Sequence, residues 1–131
     1  MLKAKVIPRL LEQVHVDGVE ASLLMRDDGS LMGTAGPLAH EKSKEAQVLA
    51  AILSNIWSDY ENAGAQLHSG PLKTVMMDCE LGNLGSVRIG NQYIAAVYGK
   101  SATTEAIKAQ LERLFSNLDP ITKTLEPART M

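Results

Sequence analysis

Ala46-Gln-Val-Leu-Ala-Ala-Ile-Leu-Ser-Asn-Ile-Trp-Ser-Asp-Tyr60 is the stretch whose reading decides the fold of this chain. Wound at about 100° per residue, it places Ile52, Ile56, Ala63, Leu49, Tyr60, Leu53, Ala46, Trp57 and Ala50 in one continuous apolar arc. The arc is roughly 160° wide, whereas a helix resting on a single core needs only about 100°. The surplus edge calls for a second neighbour, and in a chain this short that neighbour is expected to be another protein. Ser54, Ser58 and Asp59 mark the solvated face. The helix is expected to run from about His40 or Ser43 to Ala63, with Gly64 as its stop.

Upstream of it, Pro8 suits the first turn of a helix, where its missing N–H costs nothing. Leu10, Leu11 and Val14 give that helix an apolar face, and Asp17-Gly18 ends it. Val19, Ala21, Leu23 and Met25 then alternate with Glu20, Ser22 and Arg26, which is the strand period. Asp27-Asp-Gly-Ser30 is a hairpin signal, because glycine supplies the positive φ such turns need. Leu31-Met-Gly-Thr-Ala35 returns as a second strand, and Gly36-Pro37 breaks the pattern.

Downstream, Leu72 to Cys79 reads as a third strand with Val75, Met77 and Cys79 on one face. Glu80-Leu-Gly-Asn83 turns the chain into a fourth strand, Leu84 to Gly90, and Gly90-Asn-Gln92 turns it again. The fifth strand, Tyr93-Ile-Ala-Ala-Val-Tyr98, is apolar on both faces, so it belongs at the centre of a sheet covered on both sides. Thr103 or Thr104 caps a last helix, with Glu105 near its positive end and Ile107, Leu111, Leu114, Phe115 and Leu118 as its stripe. Asp119-Pro120 is expected to stop it, leaving 119–131 as a flexible tail after a single domain over 1–118. The order helix, hairpin, helix, three-stranded meander, helix argues for an α+β fold with a mainly antiparallel sheet.

Composition narrows the function. The 131 residues carry a formal charge of -2, which gives no nucleic-acid surface. Cys79 is the only cysteine, so an internal disulfide is impossible and a reducing compartment is expected. No apolar run approaches the roughly 18 residues of a membrane span. Met1-Leu-Lys-Ala-Lys-Val-Ile-Pro8 has no signal-peptide core and offers no glycine for myristoylation, so any membrane location is expected to come through a partner.

No catalytic set converges. Cys79 lies between Asp78 and Glu80, acidic neighbours that disfavour a thiolate, and reads as a buried strand cysteine. His15, His40 and His68 are scattered and lack metal-ligand spacing; they read as solvated residues, with a weak pH sensor as the rival. Asp27 and Asp28 are explained by turn chemistry. Gly82-Asn-Leu-Gly-Ser-Val-Arg-Ile-Gly90 is glycine-rich but lacks the lysine, the hydroxyl residue and the following helix of a phosphate loop. The expectation is a non-enzymatic binding module with no cofactor and no metal.

The element order, together with Ser54-Asn-Ile-Trp-Ser-Asp-Tyr60 and Met77-Asp-Cys79, resembles the roadblock/dynein light chain family over about residues 3 to 118. Within it, the two strings look closest to the branch that supplies the roadblock-type Ragulator subunits of late endosomes and lysosomes. The resemblance implies a five-stranded antiparallel sheet sandwiched between one long helix and two others, in the order αββαβββα. It implies pairing with a second roadblock-fold subunit through the long helix and the third strand. It further implies a lipidated scaffold subunit holding the pair on the cytosolic face of the late endosome, lysosome or vacuole. The complex would recruit Rag GTPases, regulate their nucleotide exchange and support TORC1 and MAPK signalling. The other reading is a homodimeric roadblock protein of a dynein motor or a bacterial small-GTPase polarity system. For either, the candidate partner interface is Leu49, Ala50, Leu53, Ile56, Trp57 and Tyr60 on the long helix with Leu72, Thr74, Val75, Met76 and Met77 on the third strand. Spacing alone does not sort the helix residues between sheet and partner.

Overall fold

The computed structural model describes residues 2–39 and 44–125. Helix α1 (Leu2–Glu12) leads into the hairpin β1 (Ala21–Arg26) and β2 (Leu31–Ala35), and a short 3-10 turn (Gly36–Ala39) follows. The long helix α2 (Lys44–Gln66), the meander β3 (Thr74–Cys79), β4 (Gly82–Ile89) and β5 (Tyr93–Gly99), and helix α3 (Thr104–Leu125) complete the chain. This is the expected αββαβββα order.

The five strands form one antiparallel sheet in the order β2-β1-β5-β4-β3. β5, apolar on both faces, is the middle strand, and all but one of its residues are buried. One face of the sheet packs on α1 and α3 through Ile7, Leu11, Leu24, Tyr93, Val97, Ile107, Leu111 and Leu114. The other packs on α2 through Leu23, Met25, Ala50, Leu53, Trp57, Ile94 and Ala96. The strand period in β1 makes this possible, sending Leu24 to one layer and Leu23 and Met25 to the other.

Helix signals at Pro8, Gly64 and Pro120 act differently from expectation, and each has a local cause. Pro8 lies inside α1 rather than in its first turn. The ring removes one backbone bond, but Ile7 and Leu11 on either side are fully packed and hold the helix on the sheet. Gly64 does not stop α2. The stop is His68, at φ 57, where the Ser69 N–H donates to Gly64 O at 3.0 Å and the His68 N–H to Ala65 O at 3.1 Å. That is a Schellman closure with histidine in the place glycine usually takes. Gly64 lies within the last turns of the helix, where a Cβ would make only an ordinary contact, 3.4 Å from Gly70 O. Pro120 does not stop α3, which continues to Leu125. Its ring is on the solvent side, while Leu118 and Thr122 are buried and Lys123 pairs with Asp119 at 3.2 Å. Packing on both sides of the proline offsets the lost bond. The expected helix start at His40 or Ser43 and the last six residues of the expected tail lie outside the described residues.

The cap of α3 follows the sequence: Thr103 Oγ1 accepts the Ala106 N–H at 3.0 Å, so Thr103 is its N-cap. Asp17-Gly18 does not end α1, which stops at Glu12; both residues take positive φ in a separate turn leading into β1.

Candidate partner interface

Trp57 decides how α2 sits. Its indole N–H donates to Ser86 Oγ on β4 at 2.9 Å, and both residues are buried. Arg88, two residues further along β4, stacks over the same ring at 5.3 Å. Its guanidinium also pairs with Glu61 of α2, lies 3.8 Å from Asp27 and donates to Asn91 O at 3.0 Å. Ala46, Ala50 and Leu53 continue the buried line of the helix. On one flank Ser54 Oγ donates to Asp27 O at 2.7 Å, fixing that flank against the β1–β2 turn.

Roughly half a turn around the helix from Ser54, the surface is apolar and largely uncovered. Leu49 and Ile56 are half-buried; Ile52 is 48 % exposed, Tyr60 53 % and Leu67 73 %. With exposed Ala63 these residues are spaced by three or four, which makes one seam along the helix. Because the Ser54 flank faces the β1–β2 side, the seam faces the β3 side. β3 is the last strand of the sheet and is hydrogen-bonded on one edge only. Thr74 and Met76 on it are exposed, while Met77 and the preceding Leu72 are half-buried.

The eleven candidate residues therefore separate. Leu49, Ile56, Tyr60, Leu72 and Met77 lie on the α2 face of this side with surface to offer, while Thr74 and Met76 are exposed on the same edge strand but on its α3 face. Ala50, Leu53, Trp57 and Val75 do not, because they are consumed by the chain's own core. Trp57 in particular is a core anchor, not an exposed one. Ile52, Ala63 and Leu67 were outside the candidate set and belong to the seam; their three-and-four spacing was the available signal.

The remaining candidates for chemistry have structural roles. Cys79 is exposed, not buried, because it ends an edge strand beyond the cover of α2. The glycine-rich segment 82–90 is strand β4 and its turn, paired on both sides. Asp28 accepts hydrogen bonds from the Ser30 side chain and backbone, which hold its carboxyl below the usual range within the hairpin turn. His15 is half-buried with Nε2 2.8 Å from Ser22 Oγ, and Ser22 in turn donates to Leu11 O at 2.9 Å. Burial lowers the His15 pKa, and nearby Glu12 opposes that shift. His40 lies outside the described residues. Among the described residues no group of three or more His, Cys, Asp or Glu side chains is placed to hold a metal, and no helix is long and apolar enough to cross a membrane.

A three-layer α+β domain with one bare sheet edge beside an apolar helix seam is the class these features define. The chain belongs to the Roadblock/LC7 domain family, which matches residues 9–99. Its fold is similar to that of MglB with a tetrameric arrangement and of the gliding protein MglB from Thermus thermophilus. Each is 15% identical over 95% of this chain and 93% of its own, with a TM-score of 0.83. It is also similar to a Roadblock/LC7 domain from Streptomyces avermitilis, 19% identical over 88% of this chain and 97% of that one, with a TM-score of 0.77. Members of the family are generally regulators and adaptors.

Proposed function

We propose that this chain is a non-catalytic pairing subunit that serves a small GTPase, of the homodimeric type found in bacterial polarity systems. The observation that carries the reading is the apolar seam of α2 lying beside the unpaired edge of β3. Two copies related by a two-fold axis would bury both features at once, seam against seam and edge against edge. The likeness in fold to the MglB proteins over nearly the whole of both chains supports this choice of system. The Ragulator reading, with its second subunit, lipidated scaffold and lysosomal address, draws only on Ser54–Tyr60 and Met77–Cys79. Those strings have ordinary structural work here: Trp57 bonds to Ser86, and Cys79 closes an edge strand.

Light scattering of the purified chain tests the proposal. Twice the 14.1 kDa chain mass is expected for the protein alone, with co-elution of a GTP-loaded polarity GTPase and no nucleotide retained by the chain itself. A monomer that becomes dimeric only with a different roadblock-fold subunit would overturn the homodimeric reading in favour of the Ragulator type.

A further inference from the structure

A second apolar surface lies beyond the start of α2, and the seam does not account for it. Leu84 and Tyr98 floor a cavity of about 440 Å³ there, walled by Leu49 and rimmed by Glu20, Glu45 and Lys100. The same Leu84 and Tyr98 also line a neighbouring cavity of about 270 Å³ with Met77 and Leu81. The two are one trough, running from the first turns of α2 to the β3–β4 turn. Its floor depends on Gly82, where a Cβ would stand 2.7 Å from the Tyr98 Oη and 2.9 Å from the ring. Only glycine lets the ring lie there. At the far end Leu81 stands 79 % exposed, between exposed Glu80 and buried Gly82.

The charges choose the occupant. Glu20 Oε2 accepts the Lys100 backbone N–H at 3.0 Å, which fixes that carboxylate at the rim. Against Glu20 and Glu45 the rim carries, among the described residues, the single cation of Lys100. An apolar floor under a net negative rim favours a partner that brings aliphatic and cationic groups together, and it disfavours nucleic acid, acidic peptide and anionic lipid. The trough is open and elongated, which suits a short extended segment of chain better than an enclosed small molecule. We propose that it is a second docking site, for a basic segment of a partner protein that seats an aliphatic side chain on Leu84 and Tyr98 and sets a lysine or arginine against Glu20 and Glu45. This goes beyond the pairing proposed above and does not depend on it.

The test is an amide NMR titration of the full chain with the peptide acetyl-Arg-Leu-Gly-Leu-Arg-amide, and with its counterpart bearing glutamate in place of both arginines. Saturable shifts confined to the amides around Leu49, Leu81, Leu84 and Tyr98 are expected for the basic peptide only. Glu45→Lys, a change at an exposed position, should weaken that binding about five-fold while leaving the fold intact, as expected for reversing one exposed charge. Equal binding of the acidic peptide, shifts centred on the seam residues Ile52, Ile56, Tyr60 and Leu67 or elsewhere outside the trough, no shifts at all, or unaltered affinity in the Glu45→Lys variant would each overturn the proposal. Light scattering on the same sample reads the pairing separately, so the two can fail independently.

Discussion

β2 and β3 are the two edges of one sheet, and they are finished in opposite ways. β2 is five residues long, and its pairing with β1 is interrupted where Met32 bulges opposite Leu24 and Met25. A helix covers each of its faces: Ile7 of α1 packs so closely on Gly33 that a Cβ would meet its Cγ2 at 2.8 Å, while the Ser54 flank of α2 is fixed to the adjoining turn. Short length, a bulge and helical cover are the devices by which proteins prevent edge strands from finding other chains. β3 has no bulge, and its helical cover is thinner. Its six residues pair with β4 in unbroken register, and only Val75 is buried. The same sequence that closes one edge leaves the other open beside an apolar seam. That asymmetry would make the proposed pairing directional: a second copy would have one edge to find, not two.

Four experiments would break or sharpen this contrast, from the largest effect to the smallest. Trp57→Ala removes what pins α2 to the sheet, and about 3–5 kcal/mol of folding stability should be lost in urea denaturation. A loss below about 1 kcal/mol would mean that the indole does not anchor the helix. Ile52→Asp attacks the seam alone. Chain stability should stay within about 0.5 kcal/mol, while self-association, read by sedimentation, should weaken roughly 100-fold because each copy contributes the change once. Unchanged association would place the contact elsewhere. Gly33→Val acts on the closed edge by forcing Ile7 away from β2. It should cost about 1–3 kcal/mol of stability and leave the association constant alone, so a shift in association would erase the distinction between the edges.

The smallest effect is a pH dependence at the closed edge. His15 reaches Ser22 and lies against Gly36, where a Cβ would meet its Cε1 at 3.0 Å. Its folded pKa is below the ordinary value of 6.5, because burial disfavours the cation more than Glu12 favours it. The unfolded chain therefore binds the proton first. The contribution of His15 is fully present above about 6.5 and is lost as pH falls through the lower folded value. Melting curves between about pH 7.5 and pH 5.5 should fall more steeply for the natural chain than for His15→Gln. Parallel curves would exclude a titrating role.

Much of this was legible before the fold was known, for reasons that particular residues show. The alternation from Val19 to Arg26, the turn at Asp28-Gly29 and the two-sided apolarity of Tyr93–Tyr98 are local signals, and the last of them places β5 at the sheet centre. The α2 arc is wider than the sheet face covers, and the structure leaves Ile52 and Tyr60 of it exposed. What could not be read was which part of the arc the sheet takes. Trp57 and Ile52 are both large and apolar, and only the hydroxyl of Ser86 beneath the helix separates them. The exposure of Cys79 required knowing that its strand is an edge. The helix signals at Pro8, Gly64 and Pro120 act differently from expectation because backbone preference alone omits the tertiary packing of Ile7, Leu118 and Thr122.

Arg88 carries a consequence of another kind, in time. Its partners are Asp27 in the first hairpin turn, Trp57 and Glu61 on α2, and the Asn91 carbonyl in the last turn. No partial assembly of the chain satisfies all four. The complete clamp needs the first hairpin, the long helix and the meander docked together, so we expect it to close after the main barrier to folding. Interactions of that sort act on the rate of escape from the native state and hardly at all on the rate of reaching it. Stopped-flow folding of Arg88→Met should show a raised unfolding limb over an unmoved refolding limb. A slowed refolding limb would place the clamp in the nucleus instead. The guanidinium is, in this sense, a latch: it determines how long α2, and the seam it presents, stays in place once the molecule has formed.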